Sequence, residues 1–189
     1  MIKSLKDYLE ESAETVKAAA VQASVSAMFE AVGFCLAALK DNKAILVCGN
    51  GGSAADASHI AGELVGRFLK DRKAMRCISL SDNMAAITAW ANDKEFETVF
   101  SRQVEAYGEA GGVLIAISTS GNSPNVIKAA ITAKEKGMKV IGFTGQDGGE
   151  LAPYCDALLA APCRHTPLVQ QTHICLYHYL CAAIEEGMA

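Results

Sequence analysis

Residues 44–53 read AILVCGNGGS, an uninterrupted apolar run that ends directly in a turn with three glycines. An apolar run without polar alternation is typical of a strand covered on both faces, as in a parallel sheet between two layers of helices. The glycines let the backbone turn tightly and present free N–H groups at the start of a helix. This stretch therefore predicts a strand, an anion-binding turn and a helix of an α/β fold.

The same pattern continues to the end of the chain. Four more short apolar runs follow, each with a turn signal and most with a helical stretch after it: Arg76 to Leu80, Val113 to Ile117, Lys139 to Phe143 and Ala157 to Ala161. Helical spacing of apolar residues predicts helices over Ser53 to Phe68, Asn83 to Tyr107 with a break near Asn92, Asn125 to Lys136, and Leu168 to Glu186. We predict an open five-stranded parallel sheet between helices, with the flavodoxin-like order 2-1-3-4-5.

The remaining segments fit a single domain. The chain has 189 residues, enough for one well-buried domain, and we expect it to span 1–189. Residues 1–42, rich in alanine, glutamate and lysine, predict one or two helices that pack on this domain or on a neighbouring subunit. The polar stretch Lys70 to Lys73 predicts a surface turn.

Composition excludes several classes of function. The formal net charge is -4, so the chain lacks the basic footprint of a nucleic-acid-binding protein. No apolar run has the length of a signal peptide or a membrane span, so we expect a cytoplasmic protein without a membrane partner. Seven cysteines without a C-x-x-C pair argue against a disulfide framework, and we expect reduced, mostly buried thiols.

A second loop rich in hydroxyls follows the third predicted strand. It reads STSGNS over residues 118–123 and offers four hydroxyls at a helix start. With the order 2-1-3-4-5 both loops meet at the topological switch point, where open α/β sheets bind ligands. Serine, threonine and asparagine also cap helices without any ligand. Each loop taken alone therefore leaves both interpretations open.

The ligand that suits two such loops carries one phosphate. Gly49 to Ala54 also matches the dinucleotide pattern G-x-G-x-x-A, but Asp82 comes late for a ribose-binding acid and the pattern has no place for a second hydroxyl-rich loop. Neither loop holds the Gly-Lys-Ser/Thr of a nucleoside triphosphate site. Hydroxyls and backbone amides without lysine favour a singly phosphorylated small metabolite.

With these loops the sequence resembles the phosphoheptose isomerases of the SIS (sugar isomerase) family. The two loops look like the phosphosugar loops of SIS proteins, and residues 56–68, DASHIAGELVGRF, are similar to a helix of that family. Asn92-Asp93, residues 145–149 and residues 170–178 resemble it as well. The resemblance covers nearly all of the chain from about residue 40.

The resemblance implies an aldose-ketose isomerase that converts sedoheptulose 7-phosphate to D-glycero-D-manno-heptose 7-phosphate through an enediol(ate). This reaction begins bacterial ADP- or GDP-heptose synthesis for lipopolysaccharide core or another glycan. It must move a proton between two neighbouring carbons and therefore needs a base and an acid. His59 and Glu63 are four apart on one predicted helix, and Gln170 and His178 are eight apart on another, so each pair can share a face.

The resemblance also assigns roles. Glu63 and His178 match the acid-base pair of the family, and in some members the positions of His59, Glu63, Gln170 and His178 bind zinc, one ion per subunit. A carboxylate held by zinc is a weaker base, so the two roles of Glu63 conflict and both are retained. The phosphate would be held by Ser53, Ser118, Thr119, Ser120 and Ser123. The remaining substrate contacts would come from Asn50, Gly51, Gly52, Glu63, Arg67, Asn92, Asp93 and Gln170.

Relatives of this kind are homotetramers that share active sites between subunits, and the same is expected here. One departure is Thr166-Pro167, where some relatives carry an acidic residue that contacts the substrate. Other interpretations of single residues also stand. His59 and Glu63 fit an exposed helix face, Arg67 and Asp93 fit an arginine that closes a helix and an acid that starts one, and His173 fits a structural or interface role.

Two rival functions belong to the same fold. One is a non-catalytic SIS protein that associates with the replication initiator DnaA. That relative lacks the glutamate and the last histidine, which are present here as Glu63 and His178. The other is a sugar-phosphate sensor fused to a DNA-binding domain, for which the predicted single domain leaves no room.

Overall fold

A computed structural model shows a parallel sheet between two helical layers. It describes residues 3–188, and of Gln22 and Ala23 it describes the backbone alone. Residues 1, 2 and 189 of the predicted domain lie outside this range. The strands are β1 (Ile45–Gly49), β2 (Cys77–Ser79), β3 (Val113–Ser118), β4 (Lys139–Thr144) and β5 (Ala157–Ala160). They are parallel in the order β2-β1-β3-β4-β5, which confirms the predicted fold.

Helices cover both faces of the sheet. They are α1 (Leu5–Ala18), α2 (Gln22–Lys40), α3 (Gly52–Val65), α4 (Met84–Asp93), α5 (Val99–Tyr107), α6 (Pro124–Glu135) and α7 (Thr166–Met188). Short 3-10 turns lie at Phe96–Thr98 and Gly149–Tyr154. The first turn accounts for the predicted break near Asn92. No helix among residues 3–188 has the length and apolar character needed to cross a bilayer.

Successive side chains of each strand point to opposite faces of the sheet and divide the core into two layers. Ile45 and Val47 of β1 pack on the side of α2, α3 and α7, while Leu46 and Cys48 pack on the side of α5 and α6. All residues of β1 and β3 are buried, which explains the continuous apolar runs in the sequence. The two amino-terminal helices lie on the α7 side, where the Gln171 side-chain amide donates to the Tyr8 hydroxyl at 2.9 Å.

The prediction of a surface turn at Lys70 to Lys73 is partly wrong. Lys70, Asp71 and Lys73 lie toward solvent, but the Arg72 side chain is only 6% exposed and pairs with the buried Glu185 of α7. The sequence pattern missed this pair because Glu185 lies 113 positions away. Four of the seven cysteines, Cys35, Cys48, Cys77 and Cys181, are buried, which agrees with the expectation of mostly buried thiols.

Candidate functional site

The two hydroxyl-rich loops are neighbours at the carboxyl edge of the sheet. β1 and β3 are paired in register, with Gly49 opposite Ile117, so the first loop and the second loop leave the sheet side by side. α3 begins after the first loop and α6 begins after the second. Their unpaired N–H groups therefore open near one crevice.

Two asparagines join these loops. The Asn50 side-chain amide donates to Asn125 Oδ1 at 2.8 Å, and the Asn125 amide donates back to Asn50 Oδ1 at 2.8 Å. Asn125, in the first turn of α6, is 2% exposed. The sequence assigned Asn50 to the substrate and did not single out Asn125. The reciprocal pair shows that the Asn50 side chain fixes the spacing of the two loops.

The second loop is braced from within. Ser118 is 2% exposed and its hydroxyl lies 2.9 Å from the Ser123 hydroxyl. Ser120 accepts a hydrogen bond from the Asn122 N–H at 3.1 Å. Ser120 is exposed and Thr119 is half-buried. Of the predicted phosphate-binding residues in this loop, Ser120 is therefore the most exposed, Thr119 and Ser123 are both half-buried, and Ser118 is buried.

Close backbone packing requires glycine in the same loop. Gly121 has φ +70°, and a Cβ there would lie 2.1 Å from the carbonyl oxygen of Gly148. The loop after β4 thus presses directly on the loop after β3. Residues 145–149, a stretch that carried the family resemblance, support the second loop from behind.

The first loop meets the start of α7. A Cβ on Gly52 would lie 2.2 Å from Gln170 Nε2, so the Gln170 side chain rests on the first turn of α3. Gly51, with φ +56°, allows the preceding turn. Ser53, 4% exposed, lies behind these glycines. Gln170 therefore lies by the first loop, about two helical turns from His59.

Two histidines and a glutamate lie close together farther along α3 and α7. One ligand atom each of His59, Glu63 and His178 lies within 4.8 Å of those of the other two. His59 Nε2 is 3.0 Å from Glu63 Oε1, and the His59 and His178 ring centroids are 5.1 Å apart. Glu63 and His178 are half-buried, and the His59 side chain is 44% exposed. An exposed helix face does not describe this cluster.

A buried polar network stands behind His59. The Tyr177 hydroxyl is 2.9 Å from His59 Nδ1 and 3.3 Å from Asp56 Oδ1. Burial raises the pKa of the Asp56 carboxyl, against the hydrogen bond from Tyr177. The contact at Nδ1 fixes the orientation of the ring and turns Nε2 toward Glu63. Sequence reasoning missed both Asp56 and Tyr177.

Helices α3 and α7 run side by side in the same direction, which explains these contacts. Gly52 meets Gln170, and His59 meets Tyr177; each step is seven residues, two turns, on both helices. Residues equally spaced on parallel helices stay level with each other. This alignment brings the distant His178 to Glu63.

The donor set fits a metal ion such as zinc. Two imidazoles and one carboxylate with ligand atoms this close match the three protein ligands of catalytic zinc sites. Gln170, the fourth predicted ligand, rests on Gly52 instead, about two helical turns from His59.

Two other predicted residues, Arg67 and Asp93, are exposed at the surface. Arg67 is exposed and lies beyond the end of α3, and Asp93 is the last residue of α4, where Asn92 donates to it at 3.0 Å. Neither matches the local electrostatic explanation, because an acid at a helix carboxyl end is unfavourable and Arg67 lies outside the last turn.

His173 is buried and donates from Nε2 to the Thr144 carbonyl at 2.9 Å, which fits a structural role. Asp82 is bonded by Ser58 of α3.

The chain is similar to known proteins along most of its length. The profile of the SIS domain matches residues 7–145. A 2-1-3-4-5 sheet with two hydroxyl-rich loops at its switch point, together with this match, defines an SIS-domain protein.

Three relatives define the branch of that family. Phosphoheptose isomerase of a Nitratiruptor species is 52% identical over 153 residues, which are 81% of this chain and 82% of the relative. The structure of phosphoheptose isomerase GmhA from Neisseria gonorrhoeae has 40% identity and a TM-score of 0.90, and covers 96% of this chain and 97% of that chain. A phosphoheptose isomerase from Francisella tularensis has 32% identity and a TM-score of 0.91, with 96% of both chains covered. The chain belongs to the phosphoheptose isomerases, which are aldose-ketose isomerases of the SIS family.

Proposed function

We propose that this protein converts sedoheptulose 7-phosphate to D-glycero-D-manno-heptose 7-phosphate. The observation that carries the proposal is the convergence of Glu63, His59 and His178 on two parallel helices that begin near a pair of hydroxyl-rich loops. The three side chains suit proton transfer, and the two loops suit a phosphate. The DnaA-associated alternative is not supported, since the relatives are phosphoheptose isomerases.

The phosphate would be bound at the loops. Backbone N–H groups at the starts of α3 and α6, with the hydroxyls of Ser53, Thr119 and Ser120, would donate to its oxygens. Ser118 and Ser123, whose hydroxyls lie 2.9 Å apart, would hold the turn and share in binding the phosphate. Asn50, Gly51 and Gly52 would shape the first loop against the ligand. The phosphate then anchors the sugar while its reacting end reaches toward the helices.

The proton would be moved by Glu63 and His178. A carboxylate has two oxygens, so one can face His59 Nε2 or a metal ion while the other takes the proton from a substrate carbon. His178, with a ring nitrogen within 4.8 Å of a Glu63 carboxylate oxygen, would exchange a proton with the substrate oxygens. Phe68 stacks on its ring at 5.5 Å and limits the access of water to that side.

Zinc would be held by His59, Glu63 and His178, and Gln170 is the fourth ligand that the resemblance implies. When bound, the ion would polarise the substrate carbonyl as a Lewis acid and stabilise negative charge on oxygen. Tyr177 and Asp56 would keep His59 in the orientation that this requires. Arg67, Asn92, Asp93 and Gln170 would contact the sugar hydroxyls.

We propose further that the whole chain works as one SIS domain and assembles as a cytoplasmic homotetramer with shared active sites. An apolar cavity of about 480 Å³ lies between α1, α2 and α7. Phe29 beside it is 81% exposed and Leu5 on α1 is 74% exposed, an apolar surface that self-association would cover. Arg67 and Asp93, which are peripheral in one protomer, would complete a neighbour's site. Light scattering of Phe29→Glu against the parent tests the assembly.

The activity is tested directly with sedoheptulose 7-phosphate in D₂O. We expect the product heptose 7-phosphate, with deuterium incorporated at carbon 2 because an enediol(ate) exchanges its proton with solvent. Supply of product to a heptose kinase would place the enzyme at the start of heptose synthesis for lipopolysaccharide or another glycan. Absence of turnover, with zinc supplied, would contradict the proposal.

A further inference from the structure

Glu185 of α7 holds a segment of backbone that follows α3. Its carboxylate accepts hydrogen bonds from the N–H groups of Phe68, Leu69 and Lys70 at 3.1, 2.7 and 2.9 Å. Glu185 is only 1% exposed. A buried carboxylate needs such partners, and three consecutive N–H donors supply them.

Arg72 completes this arrangement from the other side. Its Nε donates to Glu185 Oε1 at 3.1 Å, while its terminal nitrogens donate to the carbonyls of Leu64 at 2.9 Å and Glu63 at 2.7 Å. These carbonyls belong to the last turn of α3, where a helix leaves them unpaired. We call Glu185 and Arg72 the carboxylate clamp. The clamp ties the end of α3, including the backbone of Glu63, to α7.

The clamp lies next to the candidate site. Phe68, the first residue whose N–H it binds, stacks on the His178 ring with centroids 5.5 Å apart and planes at 19°. His178 precedes Glu185 by seven residues, about 10 Å along α7. One end of the clamp therefore fixes the backbone of Glu63, and the other fixes the aromatic ring against His178.

Stability alone does not account for a buried ion pair at this place. Replacing such a pair by well-packed apolar residues is often neutral or stabilising, because both charges lose their hydration on burial. What the pair supplies is direction: a carboxylate with several lone pairs and a forked guanidinium fix the backbone groups that they bind. Fixed geometry matters most where two side chains must face one substrate.

We propose that Glu185 and Arg72 are positioning residues that set Glu63 and His178 opposite each other. Their effect on turnover rests on the proposed function, whereas their effect on the His178 ring does not. The clamp touches neither the substrate nor the reacting atoms in this proposal. It acts through the last turn of α3 and through Phe68.

The first test compares two neighbouring glutamates. Glu185→Gln keeps the shape but replaces one accepting oxygen with an NH₂ group that cannot accept from the backbone N–H groups. We expect kcat to fall about 10- to 100-fold, the effect of a small misplacement of reacting groups. KM should change only a few-fold, since the phosphate loops lie at the other end of α3. The control is Glu186→Gln, which removes an exposed partner of Lys70 and should leave kcat within about twofold of the parent.

The second test observes His178 without any turnover. The sequence has four histidines, so the His178 Cε1–H resonance can be assigned by substitution. The Phe68 ring current shifts this resonance, and Phe68→Leu removes the shift while keeping the N–H that Glu185 binds. We expect Glu185→Gln to move the resonance in the same direction, and the double variant to add little to either single change.

The outcomes separate the clamp from the function. An unmoved His178 resonance in Glu185→Gln, or an unchanged kcat, overturns the proposal and leaves the pair a purely structural one. If Glu185→Gln does not fold, Arg72→Lys, which retains the charge and loses the fork, is judged by the same two criteria. If the parent itself does not isomerise sedoheptulose 7-phosphate, the proposed function fails, and the resonance still decides whether the clamp positions His178.

Discussion

Asn50 and Asn125 exchange two hydrogen bonds of 2.8 Å, so that one amide pair joins the loop after β1 to the start of α6. Each loop alone is a turn at the head of a helix. Joined, they form two walls of one crevice with a set separation. An amide pair suits this position because each side chain satisfies the other's donor and acceptor and needs no water.

Asn125→Ala should therefore weaken phosphate binding without touching the phosphate. The change leaves the Asn50 amide unpaired in a part-buried position. An unpaired polar group of this kind costs about 1 to 3 kcal/mol, which should appear partly as lower folding stability and partly as weaker phosphate binding. We expect KM to rise about tenfold and the midpoint of thermal unfolding to fall. Steady-state kinetics and calorimetry measure both. A variant with parent KM would show that the spacing of the loops does not depend on this pair.

Ser120→Ala tests the accessible hydroxyl of the second loop. Loss of one charge-assisted hydrogen bond to phosphate should raise KM about tenfold, equivalent to about 1.4 kcal/mol, with a smaller effect on kcat. Thr132→Ala, on the same helix α6 but outside the loop, is the control and should leave KM unchanged. Equal KM values for parent and Ser120→Ala would remove Ser120 from the phosphate site.

Glu63→Gln should nearly abolish isomerisation while the fold stays intact. The amide has the shape of the carboxylate but cannot take a proton, and loss of a general base costs about two to four orders of magnitude in rate. Turnover is measured with sedoheptulose 7-phosphate, and circular dichroism checks the fold. Activity within a few-fold of the parent would rule out Glu63 as the base.

Removal of divalent metal should stop turnover and leave phosphate binding in place. The candidate ligands His59, Glu63 and His178 form a group separate from the two loops, so EDTA should not affect inorganic phosphate bound at the loops. Added Zn²⁺ should restore turnover to the parent, and calorimetry should show Zn²⁺ binding that His59→Gln loses. Phosphate binding that disappears with EDTA would contradict separate sites.

His173 should stay neutral well below its ordinary pKa. Burial lowers the pKa of this imidazole from 6.5 to about 4, although its hydrogen bond to Thr144 opposes the shift. Above pH 6.5 the neutral form prevails in both the folded and the unfolded chain, so the folded state keeps its full stability. Between pH 6.5 and about 4 the unfolded chain binds a proton that the folded chain does not, so stability falls as pH falls.

The loss should reach about 3 kcal/mol at the lower end of this window, since each pKa unit corresponds to about 1.4 kcal/mol. Urea unfolding of the parent and of His173→Gln measures it, because the variant lacks this titration. NMR provides the direct check: the His173 resonance should not titrate between about pH 7.5 and about pH 5. A midpoint near the ordinary value would contradict the burial argument.

Much of the architecture was predictable because its causes are local. The apolar run Ala44 to Cys48 needs cover on both faces, and the glycines after it permit the turn, so strand, loop and helix follow from neighbouring residues. The same holds for the loop at residues 118–123. The adjacency of the two loops then followed from the general rule for the switch point of such sheets.

The composition of the site was decided by the tertiary structure. His59 and Glu63 are four residues apart and share a helix face by local geometry, but Tyr177, His178 and Asn125 reach this region only through packing of distant elements. The parallel alignment of α3 and α7 sets which residues meet, and no local pattern contains it.

The buried ion pair of Arg72 and Glu185 shows the clearest difference between what the sequence predicts and what the tertiary structure contains. In the sequence, Arg72 lies in a polar run and Glu185 near a polar end, so both are typical of a solvated surface. In the fold the pair is buried because the backbone after α3 turns inward and offers its N–H groups and carbonyls as partners. The amino-acid sequence by itself determined the layers, the strands and the loops that face the crevice. Only the tertiary structure decided which buried polar groups surround the reacting side chains, because a buried charge is tolerated only where its partners converge from several elements.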